Sequence, residues 1–295
     1  MKTLTMVQQQ ILPGAGSWFI TSWCVTLRFV LAGIVLAVFS LGELRTVSRR
    51  EMEQGIWLAF FVAVGISLQM DGLSLISAST SAFLTQLYCV LIPIWVALSQ
   101  RRFPGMKIFI CCVMVLVGMG LLVNLNIHDL RLGRGELETL GGSVMFTAQI
   151  LCLEHPRYAG TRTRCFTVIM LLAVALFTMP VVALTAPSVA ACVQVYHSVP
   201  AWVLLSALVL ICSLGPFLLM NRWQREVSAT EAGLIYCAEP VFVSVIALFL
   251  PGWFSRWAGV DYPNEHVTAS LLLGGGLVTA ANVLLQSRWL EPKQI

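Results

Sequence analysis

Apolar residues along this chain run in long blocks separated by short polar stretches. Nine such blocks fall at approximately 18–40, 56–75, 79–99, 106–124, 137–155, 165–184, 200–220, 230–250 and 267–286. Each has about 17–23 residues, the length an α-helix needs to cross ~30 Å of hydrocarbon. The pattern predicts an all-α polytopic membrane protein, a compact bundle of nine transmembrane helices joined by short connections. One block, Thr230–Phe249, breaks the apolar rule at its centre with Glu239, followed directly by Pro240. A carboxylate at that depth costs roughly 2.5–3.5 kcal/mol on insertion scales. Pro240 lacks the N–H that would bond the carbonyl of Tyr236. Both features are tolerated only against protein or a wet cavity.

Composition agrees with this reading and narrows it. The 295 residues are 58% hydrophobic and 11% charged, a balance that excludes a soluble globular domain. The net charge of +4 comes from basic residues scattered through short loops, so it is no signal for nucleic acid. The nine cysteines mostly fall inside apolar blocks, with no CxxC pair and no Cys/His cluster. They read as small apolar filler, and no metal site or cofactor is expected. Met1–Gly16 has no continuous apolar core of the kind a cleavable signal peptide carries.

Positive charge sets the orientation. One set of loops holds thirteen basic residues: Arg45, Arg49 and Arg50; Arg101, Arg102 and Lys107; Arg157, Arg162 and Arg164; Arg222 and Arg225; Arg288 and Lys293. The other holds Lys2, Arg131, Arg134 and Arg256. The first side is therefore expected to be cytoplasmic, with the C-terminus inside a cytoplasmic (inner) membrane. Nine spans then put the N-terminus outside. A further helix upstream would remove that oddity, with Met1–Pro13 as the end of its span; the alternative is a nine-helix protein with a short external tail.

The chain also has internal symmetry. SASTSAFLTQLYCVLIPIWVAL resembles VSATEAGLIYCAEPVFVSVIAL, and the prolines Pro93 and Pro240 occupy matching places. Each of these helices is followed by one carrying glycines suited to close packing, Gly118 and Gly120 in the first half and Gly274, Gly275 and Gly276 in the second. The charge-derived orientation makes the repeats inverted. Inverted repeats with proline-broken helices point to a secondary transporter with its site near the midplane. The expected division is 1–123 as the first repeat, 124–136 as linker and 137–295 as the second repeat.

These residues resemble the drug/metabolite transporter superfamily, EamA type. Arg28-Phe29 followed by Leu31-Ala32-Gly33 is similar to the family's second helix. Leu68-Gln69, Gly72-Leu73, Ser77-Ala78, Ala82–Thr85, Leu87-Tyr88 and Pro93 are similar to its third and fourth. Gln224, Ser228–Ala232 and Glu239–Val241 are similar to its passage from eighth to ninth helix. The resemblance covers nearly the whole chain and implies ten helices with both ends cytoplasmic. This sequence departs from the family at Gln100-Arg101-Arg102, where a Glu is usual, and at Pro251–Asn264, which intervenes before Glu265.

Glu239 is the first site candidate, as a cavity acid that binds a cationic group or exchanges a proton; the alternative is an acid that stabilises the helix break. Arg28 is the one basic residue deep in a block. It is expected to pair with Glu239 or Asp71, to bind an anionic substrate group, or to snorkel to the interface. Gln69, Gln86, Tyr88, Trp95 and Gln149 offer polar and aromatic surface for a small-molecule cavity, against simple interhelical bonding. Tyr236, one turn before Glu239, is placed to hydrogen-bond it or to serve in ordinary packing. Trp223-Gln224 and the aromatics Trp253, Phe254, Trp257 and Tyr262 read as interfacial. Glu154-His155 reads as a solvated helix end.

The expected function is secondary transport of small organic metabolites or amino-acid-like compounds by rocking of the inverted repeats, with efflux the commoner direction in the family. No Walker A motif is present. The expected partners are a small-molecule substrate and the lipid bilayer, with no nucleic acid and a homodimer left open. A membrane enzyme would need a catalytic cluster, and the four histidines stand apart. A non-transporting truncated protein is the other alternative.

Overall fold

Residues 2–76, 78–101, 105–122, 133–264 and 266–286 are described in the computed structural model, and every regular element among them is helical. The first half holds α1 (Lys2–Ile11), α2 (Ser17–Phe39), a short α3 (Leu41–Leu44), α4 (Arg49–Leu75), α5 (Ala78–Thr85), α6 (Tyr88–Gln100) and α7 (Met106–Leu122). The second begins with α8 (Arg134–Glu154), α9 (Thr163–Thr185), α10 (Val189–Gln194), α11 (Val199–Val209) and α12 (Gly215–Trp223). It ends with α13 (Ala229–Tyr236), α14 (Glu239–Ala247), α15 (Leu250–Ala258) and α16 (Ala269–Gln286).

Among the described residues six stretches are long and apolar enough to cross a membrane: Ser17–Phe39, Arg49–Leu73, Ser81–Ser99, Thr163–Thr185, Val199–Glu226 and Ala229–Ala247. The chain is thus a multi-pass, all-α membrane protein. Of the other three expected spans, 106–124 and 267–286 form shorter apolar helices, and 137–155 lies within α8. Length and apolarity therefore do not by themselves give the count of nine. The expected linker 124–136 lies largely outside the described residues, and its last three residues already form the first turn of α8. The Pro251–Asn264 segment, where the sequence departs from the family, holds all of α15 but its first residue, and there Trp253 and Trp257 stack with centroids 6.3 Å apart and stay exposed. Residues 2–11 form α1, which buries Leu4 and Val7 and packs against α11 and α15.

Local chemistry sets the key helix starts. Ser48 and Glu51 form a capping box at the head of α4, and Ser228 and Glu231 repeat it at α13. The Glu154 carboxylate at the end of α8 accepts the Ala229 N–H at 2.7 Å, so two helices meet at one charge. Glycines bring helix pairs together. A Cβ on Gly72 of α4 would lie 2.7 Å from the Gly135 carbonyl of α8, and one on Gly118 of α7 would lie 2.9 Å from the Gly274 carbonyl of α16. Gly120 and Gly276, also expected at close contacts, have nothing within 4 Å. They face away from the seam.

The buried apolar residues form two separate cores. The larger draws on α1, α2 and α4 together with α9 and α11, with Phe19, Phe29, Leu58, Phe166 and Leu205 among its fully buried side chains. The smaller draws on α6 and α7 together with α13 and α16, around Ile92, Met119, Leu234 and Val278. Phe146 of α8 packs against both.

Candidate functional site

Three interruptions in helices contribute residues to one site. α5 stops at Thr85 and α6 starts at Tyr88, with Gln86 and Leu87 in a turn. α13 stops at Tyr236 and α14 starts at Glu239, with Cys237 and Ala238 in a turn. Pro240 sits in the first turn of α14, where its missing N–H costs least. Pro93 is different: it lies inside α6, several residues past the turn. The first break is therefore at Gln86-Leu87, and Pro93 does not mark it. The third interruption is a π-helical turn, Leu210–Leu214, joining α11 to α12, where the Gly215 N–H reaches back to the Leu210 carbonyl. Pro216 follows in the first turn of α12. Such π-turns re-aim side chains and recur at functional sites.

A cavity of about 790 Å³ opens where these interruptions meet. Arg28 from α2 and Gln69 from α4 line it, with Thr85 and Tyr88 on either side of the first break. Phe146 and Gln149 come from α8, Cys212 from the π-turn, and Phe217, Met220 and Trp223 from α12. Tyr236 and Glu239 flank the second break. Six of the eight residues anticipated for the site thus share one cavity: Arg28, Gln69, Tyr88, Gln149, Tyr236 and Glu239. Two do not line it. Gln86 is buried in the turn, its Oε1 without a partner, and Trp95 is 58% exposed. Sequence reasoning missed Phe146, Phe217 and Met220, and placed Trp223 and Gln224 at the interface instead. The adjacent Gly215-Pro216 was the available signal for the α12 wall.

The polar groups of the wall are mostly engaged with one another. Gln69 Nε2 donates to Thr85 Oγ1 at 3.1 Å, and Gln149 Nε2 approaches Met220 Sδ at 3.8 Å. The Tyr236 hydroxyl donates to Gln224 Oε1 at 3.0 Å, and Gln224 Nε2 donates to the Ile150 carbonyl at 3.0 Å. Tyr236 therefore bonds Gln224, where Glu239 was the expected acceptor. Glu239 is exposed and lines the cavity.

The expected pairing of Arg28 with Glu239 or Asp71 is absent. Among the described residues neither Arg28 nor Glu239 forms an ion pair, whereas Asp71 pairs with Arg134 at 2.6 Å. Arg134 also holds Glu138 at 2.7 Å, and Ser17 Oγ donates to Asp71 at 3.4 Å. The neighbouring carboxylates push the Arg134 guanidinium above its ordinary pKa, Glu138 first. This cluster ties α2, α4 and α8 together away from the cavity.

A second cavity, of about 840 Å³, lies among the ends of α8, α9 and α12. Its four arginines are already satisfied: Arg162 by Glu51, Arg164 by Glu43, Arg222 by Glu226, and Arg225 by the carbonyls of Tyr158 and Thr161. No group of three His, Cys, Asp or Glu among the described residues is placed to hold a metal ion. The cavity between the cores is thus the site that offers unpaired charge within an apolar, aromatic wall.

No family model matches the chain, and no curated protein does. Twenty-four chains of solved structures resemble it. One, described only as "Crystal structure of protein", has a TM-score of 0.68 at 16% identity, with 96% of this chain and 93% of that one covered. At that identity the likeness is one of fold.

Proposed function

We propose that this protein is a secondary transporter of small organic metabolites, of the drug/metabolite transporter type with EamA-like inverted repeats, working by alternating access with export as its direction. The observation that carries the reading is the cavity itself. It lies between two packed cores, its wall comes from both halves of the chain, and it holds an arginine and a glutamate that form no ion pair among the described residues. Charged groups within membrane spans that face a cavity mark substrate or ion pathways. Broken helices in both halves supply that wall, as in transporters whose site lies at a repeat interface.

On the orientation given by the positive charges, Trp223 and Val227 stand at the cytoplasmic end of the cavity. An inward-facing conformation is our reading on that orientation, with the Asp71–Arg134 pair, 2.6 Å apart, at the opposite end of α4 from its cytoplasmic start. Rocking of one core against the other would carry the cavity outward. Glu239, on a helix start that the rocking would move, is the proposed coupling or cation-binding residue.

The test is a counterflow screen. Proteoliposomes holding the purified chain are loaded with a metabolite extract, and the compounds exchanged are read by mass spectrometry. Wild type should exchange at least one compound, and Glu239→Gln should change its rate or pH profile. Absence of exchange by wild type overturns transport, and an unchanged Glu239→Gln profile overturns the role of Glu239.

A further inference from the structure

Arg28 presents a problem that the transport reading leaves open. It is 8% exposed, within a span whose remaining residues are uncharged. Its guanidinium lies over the Phe29 ring at 4.9 Å, which engages one face of the plane but none of its N–H donors. The titratable groups nearest to it are the thiols Cys24 and Cys212 and the phenol Tyr196, neutral groups at ordinary pH. Among the described residues it forms no ion pair, and its buried Nε has no hydrogen-bond partner. A buried guanidinium without a counter-charge is strongly unfavourable, and a structural arginine would be expected to find carbonyls or a carboxylate. This one finds neither, and it lines the cavity.

We propose that Arg28 is the anchor of an organic-anion subsite, and that the ligand taken here carries a single carboxylate on an apolar, ring-sized body. This rests on the transport reading for the cavity and specifies its substrate class. A guanidinium fork matches a carboxylate, with parallel N–H donors to two oxygens. The body follows from the wall: Tyr88, Phe146, Phe217 and Trp223 give aromatic surface, and Ile66 and Ile150 give aliphatic surface. The single charge follows from the count of cations. Among the described residues Arg28 is the only Lys or Arg lining this cavity, and Glu239 in the same wall would repel a second negative charge. A phosphate ester, with nearly two charges at neutral pH, is poorly matched to one cation.

The experiment uses the purified full chain in an uncharged detergent, which leaves no anionic lipid to occupy the fork. Binding is followed by quenching of tryptophan fluorescence, since Trp223 lines the cavity. The probes are 3-phenylpropanoate, indole-3-acetate and octanoate, each beside its primary amide, a neutral isostere. At least one acid should bind saturably, and at least tenfold more tightly than its amide. Arg28→Gln should erase that preference by weakening the acid alone. Arg28→Lys, which keeps the charge and loses the fork, should retain part of it. Gel filtration and circular dichroism show whether each variant is folded. Equal affinity of every acid and its amide in wild type overturns the assignment whether or not the variants fold, and so does a folded Arg28→Gln with the preference intact. Metabolite exchange alongside equal acid and amide binding would overturn Arg28 alone. A lack of exchange alongside a carboxylate preference that Arg28→Gln abolishes would overturn transport and leave the subsite standing.

Discussion

Replacing Glu51 with Gln should destabilise the protein by about 3 kcal/mol, through the connection between α4 and α9. Glu51 is 3% exposed and accepts four bonds: from Arg162 Nε at 2.8 Å, Arg162 Nη2 at 2.9 Å, the Arg162 backbone N–H at 3.0 Å and the Ser48 N–H at 2.7 Å. Arg162 also donates to the Thr46 carbonyl at 2.6 Å and its hydroxyl at 2.9 Å. Glu51 holds the Arg162 pKa above its ordinary value. Breaking a buried pair by removing one partner costs about 3–5 kcal/mol. The Arg162 side chain is 38% exposed, so water recovers part of that loss and the lower end applies. The glutamine keeps one acceptor but loses the charge and half the fork. Unfolding in mixed mild-detergent and SDS micelles reads the change. In a double-mutant cycle with Arg162→Gln, the double variant should be little worse than the worse single. A change below ~0.5 kcal/mol for Glu51→Gln would refute the argument and class the pair with exposed salt bridges.

Three further outcomes follow from the same geometry. Gly72→Val drives a Cβ to within 2.7 Å of the Gly135 carbonyl and should cost about 1–3 kcal/mol in the same unfolding assay, whereas Gly120→Ala, with open space around it, should stay within about 0.5 kcal/mol of wild type. Tyr236→Phe removes the donor to Gln224 and leaves that Oε1 short of a partner, so about 1 kcal/mol should be lost along with rigidity of the cavity end, read as faster backbone amide exchange near Ile150. Burial pushes the Tyr158 phenol up to about 12, with Cys152 and Glu53 adding to it. The unfolded phenol ionises near its ordinary value of about 10, so the folded state loses stability as pH rises from about 10 through 12. The difference between wild type and Tyr158→Phe should shrink across that window, and a difference independent of pH would refute the assignment.

The membrane-crossing blocks were legible because length and apolarity alone specify them, as at 17–39 and 163–185. The second helix break was legible because Glu239 and Pro240 are chemically out of place there. What could not be read was which face of each helix meets the cavity. A helix that is apolar all round gives no phase, so polar residues were the only guide. Tyr88 and Trp95 show the limit: seven residues apart, they share a face of an ideal helix, yet Tyr88 is buried at the cavity and Trp95 is exposed. Which neighbours each turn of α6 meets is set by tertiary packing, which the sequence does not display. Pro93 misled for a related reason. A proline inside a helix removes one hydrogen bond without requiring a turn, and α6 continues through Pro93 while the chain turns at Gln86-Leu87. Arg28 was recognised as unusual, but that it forms no ion pair among the described residues is a property of three dimensions only.

The two cores carry one more consequence. Each is a chimera: α1, α2 and α4 pack with α9 and α11, and α6 and α7 pack with α13 and α16. The midpoint of the sequence is therefore not a boundary between self-sufficient modules. If the polypeptide is severed between 122 and 133, neither fragment should mature alone, because each would present to lipid the seams that the other fills, Gly118 on one and Gly274 on the other. Expressed together, the fragments should complement and restore the assembled bundle. The covalent link would then serve to keep the two fragments in equal supply, while their interlocked packing maintains the architecture.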